Sequence, residues 1–515
     1  MYDLVGTHGP CVHHQQTPTD TPPMATLKQK TAKTLTWNTI DRLSSQVLYG
    51  VVGVVLANVL SRDDFGLVGV LFIFQSFATI FVDSGFGAAL LQKKEPTEDD
   101  YSTVFWFNLA VSVAIYIGLW FAAPAIARAF HNQTELIPLG RTMFFYFILS
   151  ALSIVQTNRL MKQMDVKQLA ISNVVGQIAG GVTGIILALK GFGAWALCWQ
   201  TLVLGGVRTL WLWATSHWWP RLVFSIESLR SIRKVGLGVF SSQLLNTASL
   251  QVYNFLVGLY YSVASLGVYT QADKWSKMGS ASISQVLTAS FIPLLARVQD
   301  DPPTLLHYIR RISRFTAFIT MPALVGLALV GAPLFHLLFA DKWDAAIILF
   351  RILCVRGVFV VLISLQTNFL TALGYARTLV RVEIVKDLLT IVAIFSTLFM
   401  GSVEALVWGQ LAASLLTYIA VLRMTSRATG YPLLFLLKPN LPFAAATVLM
   451  AAGVIAIAHL LPYLYPSFPT LEIHLASLLQ LLLQITTGTL LYLLTLRLAR
   501  LPEPAELRNH LRHHP

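Results

Sequence analysis

Long apolar runs dominate this chain, and short polar stretches separate them. A transmembrane helix needs about 20 largely apolar residues, and fourteen runs of this kind fall between the glycines, prolines and charged residues. They lie at residues 38–61, 66–91, 102–127, 142–161, 168–189, 193–215, 235–260, 264–296, 313–339, 345–373, 378–400, 403–425, 440–462 and 474–498. The pattern predicts an all-α polytopic membrane protein with about fourteen transmembrane helices.

Short motifs recur in the same order roughly 200 residues apart. The recurring pairs are Gln156-Thr157-Asn158 with Gln366-Thr367-Asn368, Ala123-Pro124 with Ala332-Pro333, Gln200 with Gln410, and Ser61-x-x-x-Phe65-Gly66 with Ser262-x-x-x-Leu266-Gly267. They map the fourth run onto the tenth, so the duplicated unit has six helices. Because six is even, both copies enter the membrane from the same side, and the repeat is parallel, about an axis along the membrane normal. We expect two six-helix lobes followed by an appended helix pair.

The resulting division has six parts. We place a polar cytoplasmic tail at 1–33, the N-lobe at 34–215, a cytoplasmic linker at 216–234, the C-lobe at 235–425, helices 13 and 14 at 426–500, and a cytoplasmic tail at 501–515. Within the linker, residues 225–234 have the pattern of a short amphipathic surface helix. Residues 1–23 lack the apolar core of a signal peptide, so they form a disordered tail or precede a true start at Met24.

Charge is scarce and unevenly distributed. Charged residues make up 12% of the chain, against about 25% in soluble domains. If the N-terminus is cytoplasmic, 25 of the 37 Lys and Arg residues fall in cytoplasmic segments and five in outer segments, as the positive-inside rule requires. The net charge of +13 therefore reflects membrane orientation rather than nucleic-acid binding, and both termini are expected in the cytoplasm.

No catalytic motif is visible. The sequence has no Gly-Lys dipeptide for a Walker A loop, no H-E-x-x-H and no G-x-S-x-G. Its three cysteines are far apart and offer neither a disulfide framework nor a metal-binding spacing. We predict no cofactor, no metal and no enzymatic activity, because the short outer loops leave little room for the catalytic domain of a sugar-processing enzyme.

Ionisable residues inside the predicted spans are the strongest candidates for a site, because such residues are costly in a membrane and usually face a polar interior. Lys274 and Lys277 share one face of the eighth span at i and i+3. Two cations on one face suit an anionic ligand such as a phosphate, which they would attract strongly in a low-dielectric cavity. Arg42 and Arg356 are further cationic candidates. The alternative is that these side chains reach the membrane interface or are neutralised by neighbouring acids.

Three stretches carry a family resemblance. They are the run from Gln156 to Ala170, the opening from Thr34 through Leu60-Ser61-Arg62-Asp63-Asp64-Phe65-Gly66, and Gly193-Ala194-Trp195-Ala196-Leu197. These stretches resemble the Wzx-like polysaccharide transporters, the lipopolysaccharide and colanic-acid exporters of the MOP flippase superfamily. The resemblance extends over nearly all of residues 24–500 and agrees with the fourteen-helix plan.

The resemblance implies a flippase of the bacterial inner membrane. Its substrate would be an undecaprenyl-pyrophosphate-linked oligosaccharide, such as an O-antigen or exopolysaccharide repeat unit. In that family two lobes rock about a central cationic cavity lined by helices 1, 2, 7 and 8, which favours Arg42, Lys274 and Lys277 as ligands. Coupling to protons or sodium would require an acid, for which Asp273 and Asp83 are candidates. The expected partners are the lipid-linked oligosaccharide, membrane lipid and other membrane proteins of polysaccharide assembly, with no nucleic acid.

The sequence is also compatible with other functions. A peptidoglycan lipid-precursor flippase and a multidrug exporter belong to the same superfamily, although a drug exporter would favour acids over cations in its cavity. A membrane-embedded polysaccharide polymerase or ligase, and a scaffold in an assembly complex, are alternatives from other classes.

Overall fold

The computed structural model describes residues 24–83, 85–297, 301–464 and 473–499. Within these ranges every regular element is a helix. In chain order the helices are α1 (Met24–Val59), α2 (Arg62–Asp83), α3 (Phe86–Gln92), α4 (Glu98–Ala129), α5 (Leu136–Met143), α6 (Tyr146–Lys162), α7 (Val166–Leu189), α8 (Ala194–Ser216), α9 (Ile226–Tyr260), α10 (Val263–Arg297), α11 (Pro302–Leu329), α12 (Gly331–Phe339), α13 (Asp344–Ala372), α14 (Ala376–Thr397), α15 (Val403–Thr429), α16 (Leu433–Leu437), α17 (Leu441–Leu464) and α18 (Ile473–Leu498). Two 3-10 turns lie at Ala340–Trp343 and Leu398–Met400. Of the predicted tails at 1–33 and 501–515, residues 1–23 and 501–515 fall outside the described residues, whereas residues 24–33 belong to helix α1.

Each of the fourteen predicted runs coincides with one helix or with two consecutive helices. The second run divides into α2 and α3, because Gly85 adopts a left-handed conformation between them. The fourth run divides into α5 and α6, and the ninth into α11 and α12. Among the described residues, ten helical segments are long and apolar enough to cross a membrane. The predicted all-α polytopic membrane fold is confirmed.

The remaining predicted spans are α8, α9, α10 and α14, which fall outside those ten segments. The last three carry charged and polar side chains along their length. A helix of this composition is stable in a membrane where its polar face is shielded from lipid by protein or by water. The polar helices therefore indicate where a functional site should be sought.

The recurring serine motif starts α2 and α10 in the same way. The backbone N–H of Asp64 donates to Ser61 Oγ at 3.1 Å, and that of Ser265 donates to Ser262 Oγ at 3.0 Å. Both serines thus cap a helix by accepting a hydrogen bond from an otherwise unpaired N–H group of the first turn. This shared role explains why the motif occurs twice.

The two copies of this motif also contact each other. A β-carbon built on Gly66 would overlap the Val263 carbonyl oxygen, and one built on Gly267 would overlap the Arg62 carbonyl oxygen. Such a reciprocal contact is characteristic of elements related by a two-fold axis. One turn further on, Gly69 lies against Leu266 and Thr270, so α2 and α10 advance together from their N-terminal turns and run in the same direction. This is the relation expected of a parallel repeat.

Helices α2 and α10 are central to the packing of the other helices. Helix α2 packs against α9 and α10, α10 packs against α13, and α1 packs against α7. The appended helices α17 and α18 pack on each other and on α11 and α12. Helices α2, α9 and α10 therefore form the junction between the two predicted lobes.

The segment between the lobes is fixed to the start of α4. The backbone N–H groups of Arg221 and Ser225 donate to Ser102 Oγ and Thr103 Oγ1, both at 3.0 Å, and Trp106 Nε1 donates to the Arg221 carbonyl at 2.8 Å. Helix α9 then begins at Ile226, where Ser225 accepts from the Ser228 N–H. The amphipathic stretch predicted as a separate surface helix is thus the first part of α9, because no residue there interrupts the helix.

A cluster of hydrogen bonds joins the lobes on the side predicted to face outward. We call it the outer clasp, formed by the turns at 57–62 and 338–343. Its bonds run from Asn58 Nδ2 to the Leu338 carbonyl (2.7 Å), from Lys342 Nζ to the Asn58 carbonyl (2.8 Å), from Trp343 Nε1 to the Ala57 carbonyl (3.0 Å), and from Arg62 Nε and Nη2 to the Lys342 carbonyl (3.0 and 2.5 Å). The structure is therefore closed between these two turns.

Candidate functional site

Lys274 lies on α10 and extends towards α1. It is eleven residues beyond the helix start at Val263, which is about 16 Å along the axis and close to the middle of a core about 30 Å thick. Its ammonium group is 4.1 Å from the ring centroid of Tyr49 and 5.3 Å from that of Trp275. On α1 it rests against Gly53, where any larger residue would meet it.

The Lys274 ammonium group is not neutralised by the part of the chain that the structure describes. Among the described residues it has no hydrogen-bond acceptor and no acid within ion-pair distance, and its contacts are with aromatic rings. Cation–π contacts of this kind contribute about 0.5–2 kcal/mol, which is well below the cost of burying an unpaired charge. The side chain therefore retains most of its capacity to bind an anion.

Lys277 is in a different situation, although it is only three residues away. Its Nζ lies 2.6 Å from Asp273 Oδ2, one helical turn earlier. Asp273 is 8% exposed, so the positive charge of Lys277 is neutralised by a buried carboxylate. The predicted pair of free cations is therefore a single free cation beside a neutralised pair, and the coupling-ion candidate Asp273 is occupied by the same ion pair.

Arg42 lies on α1 and is exposed. It occupies the same helical face as Tyr49 and Gly53, because seven residues span almost two whole turns. The offset from Tyr49 is about 10 Å along the axis. Arg42 and Lys274 therefore face the same α1–α10 seam at different depths.

Arg356 lies deeper within the C-lobe. Its Nε donates to Ser414 Oγ at 3.3 Å, which connects α13 with α15. The guanidinium group is also within electrostatic range of the hydroxyl groups of Tyr253 and Tyr269, on α9 and α10. The structure thus assigns Arg356 contacts with the C-lobe helices that support α10.

Asp83 is at the opposite end of α2 from the outer clasp. Its Oδ1 and Asn158 Nδ2 both lie close to the position that a β-carbon on Gly87 would take. Asp83 therefore belongs to a group at the predicted cytoplasmic end, together with one of the recurring Gln-Thr-Asn motifs. This group is separate from Lys274.

An apolar cavity of about 520 Å³ lies in the seam between α1 and α10. It is lined by Gln46, Val47, Gly50, Val51, Val54, Val55, Trp275, Met278 and Leu338. Val47 and Val51 are 63% and 58% exposed, so the cavity opens at the protein surface. We call it the seam groove. Trp275 belongs both to the groove wall and to the surroundings of the Lys274 ammonium group.

The sequence did not reveal the aromatic contacts or the groove, because residue spacing within one helix does not show which neighbouring helix it meets. It also missed a group beside the outer clasp. The ligand atoms of His336, Asp341 and Asp344 lie within 4.8 Å of one another, and His336 Nε2 is 3.1 Å from Asp344 Oδ1. All three face the outer surface of the C-lobe at the bend between α12 and α13.

Taken together, the fold and the site define a polytopic membrane protein of the transporter type. It has two copies of a helical unit, a closed outer junction and, at mid-membrane depth, a cation that has no acidic partner among the described residues. The chain belongs to the family of polysaccharide biosynthesis proteins, whose family pattern matches residues 55–348.

Similar proteins agree with this assignment. The succinoglycan biosynthesis transport protein ExoT of Rhizobium meliloti (strain 1021) is 25% identical over 73% of this chain and 77% of its own length. The lipopolysaccharide biosynthesis protein WzxC of Escherichia coli (strain K12) is 22% identical over 64% of this chain and 68% of its own. The solved structure of the lipid II flippase MurJ in an inward closed conformation has a TM-score of 0.70 at 15% identity, covering 89% of this chain and 97% of MurJ. The predicted membership of the Wzx-like polysaccharide transporters of the MOP superfamily is confirmed.

Proposed function

We propose that this protein flips an undecaprenyl-pyrophosphate-linked oligosaccharide across the bacterial inner membrane, with both of its termini in the cytoplasm. The substrate would be a repeat unit of an O-antigen or an exopolysaccharide. Family membership supports polysaccharide transport in general. The more specific proposal rests on Lys274.

An unpaired ammonium group at mid-membrane depth is costly unless a ligand compensates it. A pyrophosphate supplies negative charge and several acceptor oxygens, so it matches a cation that has no acidic partner within the described ranges. Neither Lys277 nor Lys386 has this property, because each is paired with an acid on its own helix. The one free lysine of the described part of α10 is therefore the observation that supports an anionic substrate most directly.

The seam groove supports a lipid-linked substrate. A polyprenyl chain is apolar and can stay in the hydrocarbon, whereas the sugar and pyrophosphate cannot cross it unaided. With the diphosphate at Lys274, the lipid chain would leave through the apolar groove beside Trp275. The head group and tail would then each occupy a matching environment.

Alternating access supplies the movement in this proposal. The outer clasp holds the two lobes together on one side, so release to the outer leaflet requires these hydrogen bonds to break while the opposite side closes. The substrate must bind comparably in both states, because a ligand that strongly prefers one state traps it. Lys274 supplies a single point charge that is held by weaker aromatic contacts, and such a group is suited to bind the substrate comparably in both states.

A peptidoglycan lipid-precursor flippase remains the nearest alternative, since its substrate carries the same type of lipid diphosphate. A cationic-drug exporter is disfavoured, because Lys274 would repel its substrates. We also propose that the chain is not a polymerase or ligase, and that its partners are the lipid-linked oligosaccharide, membrane lipid and other membrane proteins of polysaccharide assembly.

The test is a deletion strain complemented with single variants. Deletion should accumulate a lipid-linked oligosaccharide on the cytoplasmic face, and mass spectrometry of that lipid identifies the saccharide. Lys274→Gln should reduce surface polysaccharide about 10- to 150-fold, since a hydrogen bond to a charged group contributes about 1.5–3 kcal/mol. Lys274→Arg should retain activity.

Lys386→Gln provides the matched control, because this lysine also lies within a predicted span but pairs with exposed Glu383. Equal export by the Lys274→Gln and Lys386→Gln variants, at equal protein levels, would contradict the role of Lys274. Accumulation of a peptidoglycan precursor in the deletion strain would favour the alternative substrate.

A further inference from the structure

A second cavity lies on the N-lobe, between α4, α5, α6 and α8 and away from the α1–α10 seam. Its volume is about 440 Å³. Aromatic and aliphatic side chains form most of its wall, among them Tyr116, Phe145, Trp199 and Leu202. Phe145 and Trp199 are 43% and 44% exposed. The cavity is therefore a surface groove that the described residues do not fill.

Arg141 is the charged residue in this groove. Its Nε donates to the Trp120 carbonyl at 3.4 Å, and its guanidinium carbon lies 4.8 Å from the centroid of the Trp120 ring. No acid lies within ion-pair distance of it among the described residues, and its two terminal nitrogens have no acceptor there. Four N–H groups thus remain available to a ligand.

The depth of the groove corresponds to the polar boundary of the membrane. Arg141 is five residues after the start of α5, and Trp199 is five residues after the start of α8. Each is thus about 8 Å along its helix axis. Both helices start on the side predicted to face outward, where cations are few. Tyr and Trp side chains are enriched at this depth because their rings lie at the head-group level.

We propose that this groove binds one anionic phospholipid of the outer leaflet. The lipid phosphate binds the terminal nitrogens of Arg141, and an acyl chain lies along Phe145 and Leu202. The guanidinium fork presents parallel donors that match phosphate oxygens. The apolar wall below it favours a lipid over a free phosphate, which would leave that wall exposed.

The test uses the purified full-length chain in detergent, with lipid retention measured by native mass spectrometry. The probes are dioleoylphosphatidylglycerol, dioleoylphosphatidylcholine and inorganic phosphate. The wild-type protein should retain phosphatidylglycerol at least tenfold more tightly than Arg141→Gln does, and Arg141→Lys should bind with intermediate affinity. Arg128→Gln is the matched control. Arg128 is a cation at the C-terminal end of α4, on the same predicted outer side as Arg141, but it is bonded to the Pro124 carbonyl and lies outside the groove.

Equal retention of phosphatidylglycerol by wild type and Arg141→Gln would overturn the proposal. It would also be overturned if wild type retained phosphatidylcholine as tightly as phosphatidylglycerol, or if inorganic phosphate alone saturated the groove. Tryptophan fluorescence gives a second measurement. A phosphatidylglycerol brominated on its acyl chain should quench wild type more than Trp199→Phe, whereas equal quenching would place the lipid elsewhere.

Discussion

The reciprocal glycine contact between α2 and α10 can be tested with single methyl groups. In Gly66→Ala the new β-carbon would overlap the Val263 carbonyl oxygen, and in Gly267→Ala it would overlap that of Arg62. Both obstructions are backbone atoms, so no side-chain rotation relieves them. The helices must separate, and this separation weakens the closed outer junction.

The expected magnitude follows from the cost of overpacking. Extra methyl groups in well-packed interiors cost about 1–3 kcal/mol, and about 1.4 kcal/mol corresponds to a tenfold change in an equilibrium. If the cost falls on the closed state, either variant should shift the ratio of closed to open molecules by about 5- to 150-fold. The two variants should behave alike, because the repeat places them in equivalent positions.

Spin labels attached at Glu135 and Asp341 measure the opening by pulsed electron paramagnetic resonance. Both positions are exposed, one on the outer side of each lobe. Wild type should show one short distance, and each alanine variant should add a longer one. Gly118→Ala is the control, because a β-carbon there has no atom within 4 Å. If Gly66→Ala and Gly267→Ala give the same distances as Gly118→Ala, α2 and α10 do not form the closed junction.

Further predictions concern individual contacts. Gly53→Ala should displace the Lys274 ammonium group and lower export severalfold. The melting temperature should stay nearly unchanged, because the displaced atom ends a flexible side chain. A drop in melting temperature without loss of export would contradict this. Tyr49→Lys should partly restore export to Lys274→Gln, since it returns a cation to the seam from α1; no recovery at normal protein levels would show that the position of Lys274 matters beyond its charge. Thr97→Ala removes the capping box at the start of α4 and should lower the free energy of unfolding by about 1 kcal/mol, as measured by thermal unfolding in detergent. Asp83→Asn keeps the size of the side chain but removes its titratable proton. If Asp83 couples transport to protons, export by this variant should lose its response to an imposed pH gradient. An unchanged response would exclude that role.

The helical plan was predictable because each span must supply about 20 apolar residues on its own. The direction of the repeat was also predictable, because the recurring motifs mark out a unit of six helices, and an even number returns the chain to the same side. Local sequence contains both kinds of information. The second run nevertheless conceals a break at Gly85, since the short polar stretch Asp83-Ser84 before it lies between apolar residues that continue the run on both sides.

The site was less predictable because its chemistry depends on contacts between helices. Spacing alone allows Asp273 to pair with Lys277 at i+4 but does not show that no described residue pairs with Lys274. That fact depends on α1 presenting Tyr49 and Gly53 rather than an acid. The seam groove and the clasp likewise join residues about 220 to 290 positions apart.

The two copies of the repeat are not used equally, and the difference has a functional consequence. The repeat maps α1 onto α9 and α2 onto α10, so the packing of α2 against α9 has its counterpart in the packing of α10 against α1. In the described residues α2 packs along α9, whereas α1 and α10 leave the seam groove between them. A fully symmetric molecule would seal both seams or open both. In the proposed function, the packed seam would keep a common hinge for the lobes, and the other seam would admit a lipid chain while Lys274 binds the charged group attached to it. Substitutions that fill the groove, such as Gly50→Leu beside Met278, should therefore block export without disturbing the α2–α9 junction.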